Sequence, residues 1–105
     1  MKIIDRLNED KIHISFEVFP PKTDAGFDKV LDATDKIAAL KPSYISVTYG
    51  AGGGTSKNTA RIASHIKDDL GVLSLAHLTC ASSTKEEVRS VIANLRQLGI
   101  ENILA

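Results

Sequence analysis

The strongest constraint on the fold of this 105-residue chain is a regular alternation between two hydrophobic periodicities. Residues 12–18, 44–48, 72–78 and 102–105 have the short, β-rich pattern that is typical of strands. Longer stretches lie between them, and their apolar side chains recur every three or four residues, as on one face of a helix. This repeated strand–helix–strand order predicts an α/β fold, with a parallel sheet and right-handed crossovers.

Local signals set the ends of the predicted helices. Asp24 is the expected N-cap of the first long helix, and the second starts near Ser56. Ser83 or Thr84 is expected to cap the third, with a glutamate three residues later as the capping-box partner. A short helix is predicted over residues 2–8. Helix-ending signals follow at Pro42, Gly71 and Gly99.

Composition narrows the classes of partner. The chain is 43% hydrophobic and 25% charged, and its 13 basic residues balance its 13 acidic residues, which argues against nucleic-acid binding. It contains no secretory signal and no apolar run of about 20 residues, so no membrane partner is expected. The single cysteine, Cys80, cannot form an internal disulfide. We therefore expect a cytoplasmic protein in which residues 1–105 form a single partial domain.

Polar side chains recur at the ends of the predicted strands. Glu17, Thr48 and His77 follow one another about every 30 residues, the length of one strand–helix–strand unit. Glu17 shares its strand face with Ser15, and Thr48 shares its face with Ser46, whereas the opposite faces are apolar. Ligands bind at the carboxyl edge of parallel sheets. The pattern therefore predicts a binding or catalytic site at that edge.

Chemistry alone leaves alternatives for each of these residues. Glu17 is either a solvated carboxylate or a proton donor that its neighbours Phe16, Val18 and Phe19 partly desolvate. Thr48 is either a ligand group or a β-former whose hydroxyl is satisfied within the fold.

His77 and Cys80, further along the chain, can also be interpreted either as site residues or as structural ones. His77 is either a site residue or a core histidine with both ring nitrogens paired. Cys80 is expected to be a small buried filler. Two such side chains are too few for a zinc site, so no metal is predicted.

The glycine run over residues 50–54 matches neither a P-loop nor a dinucleotide fingerprint, because lysine follows the hydroxyl residues and the third glycine position holds threonine. It remains a strand-to-helix loop that either receives an anion or a cofactor edge or binds nothing.

Three segments resemble motifs of one enzyme family. Residues 15–23, SFEVFPPKT, resemble the S-F-E-[FV]-F-P-P-[KR]-T stretch of methylenetetrahydrofolate reductases. Residues 46–53, SVTYGAGG, are similar to the second-strand segment of that family. Residues 76–80, AHLTC, resemble its H-L-T-C motif after the third strand. The motifs stand in the family's order and spacing, and the resemblance covers nearly the whole chain.

The resemblance implies a (β/α)8 TIM barrel, of which this chain would supply the N-terminal portion, about three βα units plus the start of strand four. It implies non-covalently bound FAD, NADH or NADPH as electron donor, and reduction of the folate substrate 5,10-methylenetetrahydrofolate to 5-methyltetrahydrofolate. Glu17 matches the family's catalytic glutamate, which assists protonation as the five-membered ring of the folate opens. The positions that match flavin contacts are Thr48, Tyr49, Ala51 and His77.

The chain reaches only the start of the fourth of eight strands implied by the resemblance. We therefore expect a full-length parent reductase and no turnover by the 105 residues alone. One alternative is a non-enzymatic partial barrel whose open edge favours a homo-oligomer. Another is a small flavodoxin-like domain that binds a phosphate or a flavin.

Overall fold

The computed structural model describes residues 1–49, 56–81 and 83–105 and contains one four-stranded parallel sheet. Its strands are β1 (Ser15–Val18), β2 (Tyr44–Val47), β3 (Ser74–His77) and β4 (Ile103–Leu104). They lie side by side in sequence order, and each neighbouring pair is parallel. The predicted α/β class is confirmed. The sheet is not closed within the described residues. An open sheet is expected of the N-terminal part of a barrel.

The strand order also decides between the barrel and the flavodoxin-like alternative. A flavodoxin-like sheet has the order 2-1-3-4-5, which places its first strand between two others. Here, among the strands of the described residues, β1 lies at the edge and pairs with β2 alone. The flavodoxin-like alternative is therefore wrong.

All four predicted helices are present, namely α1 (Ile3–Leu7), α2 (Phe27–Ala38), α3 (Ser56–Ser64) and α4 (Lys85–Gln97). Helix α4 begins with the predicted capping box, in which the Thr84 hydroxyl accepts a hydrogen bond from the Glu87 amide and the Glu87 carboxylate accepts one from the Thr84 amide. The prediction for Asp24 is wrong. It lies in a 3₁₀ turn (Asp24–Gly26) that leads into α2, and no side chain caps that helix.

The ends of α3 and α4 follow the glycine signals. Helix α3 continues as a π-helical turn, His65–Asp69, before Gly71. Gly71 has φ +66° and Gly99 has φ +74°, values in the left-handed region that residues other than glycine rarely adopt. Both predicted helix ends are confirmed.

Strand β1 is shorter than the predicted strand over residues 12–18. Its pairing with β2 starts at Ser15, and Ile12 before it is 89% exposed. An edge strand has a partner on one side only, so its outer residues lack a second ladder. His13 instead contacts the Ser43 hydroxyl at 2.9 Å and the Glu9 carbonyl oxygen at 3.1 Å.

The helices cover one face of the sheet. On that face the strands contribute Val18, Ile45, Val47 and Ala76, each at most 7% exposed. The helices pack against them with buried apolar side chains, which include Phe27, Ala60, Ile62, Ala63, Ile66 and Leu95. Because side chains alternate along a strand, Glu17 and Ser46 lie on the other face. The predicted division into an apolar face and a polar face is confirmed.

Candidate active site at the carboxyl edge of the sheet

The structure brings Glu17 and Ser46 together across two adjacent strands. They are register partners on β1 and β2, so their side chains leave the sheet side by side on the face that the helices do not cover. The Ser46 hydroxyl donates a hydrogen bond of 3.0 Å to Glu17 Oε1. Ser46 is 6% exposed, which makes it a buried hydroxyl whose acceptor is a carboxyl oxygen.

His77 joins this pair from the end of β3. Its Nε2 lies 3.3 Å from the same Glu17 Oε1, a distance that forms an ion pair when the imidazole is protonated. The core-histidine alternative for His77 is wrong, because the ring faces a carboxylate at the sheet edge and its side chain is 22% exposed. Glu17 and His77, two of the three residues of the predicted strand-end pattern, therefore converge.

Glu17 is more open to solvent than the sequence suggested. Its side chain is 47% exposed. Phe19 was expected to shield it but is itself 67% exposed, and Val18 points to the buried helix-covered face. Within the described residues Phe16 and Val18 do not shield the carboxyl, because alternation along the strand turns both of them to the opposite face.

Thr48 lies directly after β2 and is held at its backbone. Its amide donates to the Val18 carbonyl oxygen at 3.1 Å, and its own carbonyl accepts a 2.9 Å hydrogen bond from the Thr59 hydroxyl. Thr59 is 2% exposed and belongs to α3. The end of β2 is thus tied both to β1 and to the helix that follows. Thr48 and Tyr49 are both half-buried.

Two further sequence predictions concern the segment after β2 and the end of β3. Ala51 and the glycine run over residues 50–54 lie outside the described residues. Cys80 is exposed, so the prediction of a buried filler is wrong: it lies three residues beyond β3, past the strand that the helices cover. Within the described part of the chain, no group of three or more His, Cys, Asp or Glu side chains is arranged to hold a metal ion. No helix there is both long and apolar enough to cross a membrane.

A second histidine cluster was not anticipated from the sequence. His65 Nε2 lies 2.7 Å from Asp35 Oδ1 of α2, and His65 Nδ1 lies 2.7 Å from Asp69 Oδ2. Burial acts to lower the pKa of His65, but the hydrogen bonds and charges of the two carboxylates outweigh it, and the pKa is raised. The contact between His65 and Asp69 could have been predicted, because residues four positions apart on a helix lie next to each other. The partnership with Asp35 depends on how the helices pack.

The fold and the site together define a class of protein. A parallel sheet in sequence order, with helices on one face and a carboxylate, a hydroxyl and an imidazole at the carboxyl edge of the other, is the arrangement found in (β/α)8-barrel enzymes. The family model described as "Methylenetetrahydrofolate reductase" matches residues 2–105, and the chain belongs to this family.

Curated relatives bear the same family name. The chain is 37% identical over 97 residues to "5,10-methylenetetrahydrofolate reductase" of Escherichia coli, an alignment that covers 92% of this chain and 33% of that protein. It is 34% identical over 104 residues to "Methylenetetrahydrofolate reductase (NADH) 1" of Zea mays, with 99% and 18% covered. The chain thus spans a third or less of the length of these two relatives.

Proposed function

We propose that residues 1–105 form a single partial domain, the N-terminal portion of the catalytic barrel of a reductase that converts 5,10-methylenetetrahydrofolate to 5-methyltetrahydrofolate with FAD and NADH or NADPH. Family membership and the names of the relatives support the reaction. The observation that carries the proposal is the meeting of Glu17, Ser46 and His77 at the carboxyl edge of the sheet. A cytoplasmic location belongs to the same proposal, because the lone Cys80 needs no oxidising compartment.

Glu17 is the proposed catalytic acid. Opening the five-membered ring of the folate breaks a carbon–nitrogen bond, and the departing nitrogen needs a proton. A carboxyl that is 47% exposed and tethered at one oxygen can meet that nitrogen directly. Glu17 donates its proton to the nitrogen and becomes a carboxylate, whose charge faces the Ser46 hydroxyl and the His77 ring.

Thr48, Tyr49, Ala51 and His77 are the proposed cofactor contacts. Of these, Thr48, Tyr49 and His77 are half-buried, so each has surface left to contact a ligand, and His77 lies beside the proposed acid. A hydroxyl, a phenol and an imidazole suit a flat cofactor that has both polar and apolar edges. Bound FAD supplies hydride transfer from the nicotinamide to the folate, so the chain needs no nucleophile or metal of its own. The residues hold and orient the cofactor.

The parent protein tests this proposal. Purified in the presence of FAD, it is expected to oxidise NADH or NADPH with menadione as acceptor, and to reduce methylenetetrahydrofolate. Separate assays with the two nicotinamides reveal the preferred donor. A parent that binds no FAD and shows no folate-dependent oxidation of either nicotinamide refutes the assignment.

A homo-oligomer is a second proposal, and it concerns assembly. Strands β1 and β4 are both edges of the described sheet, and apolar side chains at or beside these edges are exposed, Ile14 at 61% and Leu104 at 51%. Open edges with apolar side chains favour association. Light scattering on the isolated 105 residues is expected to show a species larger than a monomer. A well-folded monomer at the same concentration contradicts this, and the non-enzymatic self-associating module loses its support with it.

A further inference from the structure

The hydroxyl of Ser46 is placed to control the proposed acid. It is buried, at 6% exposed, and its hydrogen bond to Glu17 Oε1 is 3.0 Å long. The parallel pairing of β1 and β2 sets this contact, because Glu17 and Ser46 are register partners. The donor is therefore carried by the rigid centre of the sheet and not by a loop.

Both observed contacts of the Glu17 carboxyl fall on one oxygen. Ser46 Oγ and His77 Nε2 each approach Oε1, at 3.0 and 3.3 Å. For Oε2, no hydrogen bond or ion pair is found in the part of the chain that the structure describes. The two oxygens of one carboxyl are thus in different environments, although they are chemically equivalent in a free side chain.

We infer that Ser46 is a positioning residue, which holds Oε1 and thereby makes Oε2 the oxygen that delivers the proton; this inference rests on the proposed function. A serine has one hydroxyl hydrogen, and here it is directed at Oε1. In the neutral acid, a proton on Oε2 leaves Oε1 as a carbonyl oxygen that still accepts from Ser46. A proton on Oε1 would instead face the serine hydrogen, and the hydroxyl would have to turn.

In this geometry the proton moves from Glu17 Oε2 to the folate nitrogen. The Oε2–H bond breaks, its electron pair stays on the carboxylate, and the proton bonds to the lone pair of the departing folate nitrogen. Negative charge then grows on Oε1 as well, where the Ser46 donor is already in place. A donor that is aimed in advance at developing charge costs no reorganisation during the reaction.

Substitutions at Ser46 in the FAD-loaded parent protein test the inference. The readout is the rate at which methylenetetrahydrofolate reoxidises the reduced flavin. Ser46→Ala is expected to slow this step about tenfold, because a hydrogen bond to a charged group is lost.

Two further comparisons separate positioning from general damage. Ser46→Thr keeps a hydroxyl and Ser46→Val replaces it with a methyl group of similar size, so Thr is expected to retain the wild-type rate and Val to lower it as Ala does. Ser74→Ala is the matched control, because Ser74 is a buried β3 serine, 3% exposed, that does not contact Glu17. Ser74→Ala is expected to leave the rate of flavin reoxidation unchanged.

The outcomes distinguish the two proposals. A wild-type parent that fails to reduce the folate overturns the proposed function. A wild-type parent that is active, together with Ser46→Ala and Ser46→Val variants whose rates of flavin reoxidation match the wild type, overturns the role of Ser46 and leaves the proposed function standing.

Discussion

Glu17 Oε1 and His77 Nε2 lie 3.3 Å apart although their strands, β1 and β3, are not neighbours in the sheet. Adjacent strands are about 4.8 Å apart, so the two side chains must lean toward each other across β2. Ser46 is the β2 residue beside Glu17, and it contacts the same oxygen. The site thus depends on the register of the central strand, because a slip of one residue would turn Ser46 toward the helices.

Replacing Glu17 tests its role as the acid. Glu17→Gln in the parent protein keeps the shape of the side chain and removes the transferable proton. We expect reduction of methylenetetrahydrofolate to slow by about 10²- to 10⁴-fold, the usual contribution of general acid catalysis. Stopped-flow measurement of flavin reoxidation by the folate gives this rate.

The control for Glu17→Gln is the other half of the reaction. Reduction of the flavin by the nicotinamide needs no acid at the folate, so its rate is expected to stay near that of the wild type. Folate reduction at an unchanged rate in a variant whose flavin is also reduced normally would show that Glu17 is not the acid.

The cluster of His65, Asp35 and Asp69 predicts a pH-dependent stability. Only the protonated imidazole has two N–H groups, and each ring nitrogen lies 2.7 Å from a carboxylate oxygen. Because the pKa of His65 is raised, the cluster stabilises the fold fully below the ordinary histidine pKa of about 6.5. That stabilisation is lost as the pH rises through the raised pKa.

His65→Gln is therefore expected to lower the free energy of unfolding more at about pH 6 than at about pH 9, where the imidazole is neutral. Urea titration of the parent protein at the two pH values measures the difference. Asp68→Asn is the matched control, since Asp68 pairs with Lys67 and Ser64 and not with His65. An equal loss at both pH values in the His65 variant would contradict the charged cluster.

The capping box of α4 predicts a modest local effect. Thr84→Ala removes the hydroxyl that accepts a hydrogen bond from the Glu87 amide. We expect this loss to lower the free energy of unfolding by about 1 kcal/mol. Faster hydrogen exchange at the amides of the first turn of α4, measured by mass spectrometry on the parent protein, would report the loss. Thr84→Ser retains the acceptor and should exchange at the wild-type rate, and equal exchange in the Ala and Ser variants would count against the cap.

Ile66 tests the importance of packing in the π-helical turn. Its side chain is 0% exposed within the core, so Ile66→Ala is expected to destabilise the fold by about 2–5 kcal/mol. Ile12→Ala makes the same chemical change at a position that is 89% exposed, and its effect should be within about 0.5 kcal/mol. Denaturant titration compares the two, and similar losses would mean that Ile66 is not a core residue.

The order of strands and helices and the two faces of the sheet could be predicted from the sequence, because both follow from the periodicity of its apolar residues. Alternation placed Glu17 opposite Val18, and the recurrence of polar strand ends placed Glu17 and His77 at one edge. The bond between Ser46 and Glu17 was within reach too, since parity had already put Ser46 on the correct face. These features depend on local pattern and on the parallel order of the strands.

Other features depend on tertiary packing, and the sequence did not reveal them. The sequence left open whether Phe16 and Val18 shield Glu17, and the strand turns both of them to the opposite face. Asp35 reaches His65 only through the docking of α2 against the end of α3. Strand β1 was predicted too long because the pattern of Ile12 and Ile14 does not reveal that the strand lies at an edge.

The hydrogen bond from the Thr59 hydroxyl to the Thr48 carbonyl couples a buried side chain of a helix to the backbone at the end of a strand. It ties the carboxyl end of β2 to α3, so a change that moves this helix would also move the edge of the sheet at which Glu17 and His77 meet.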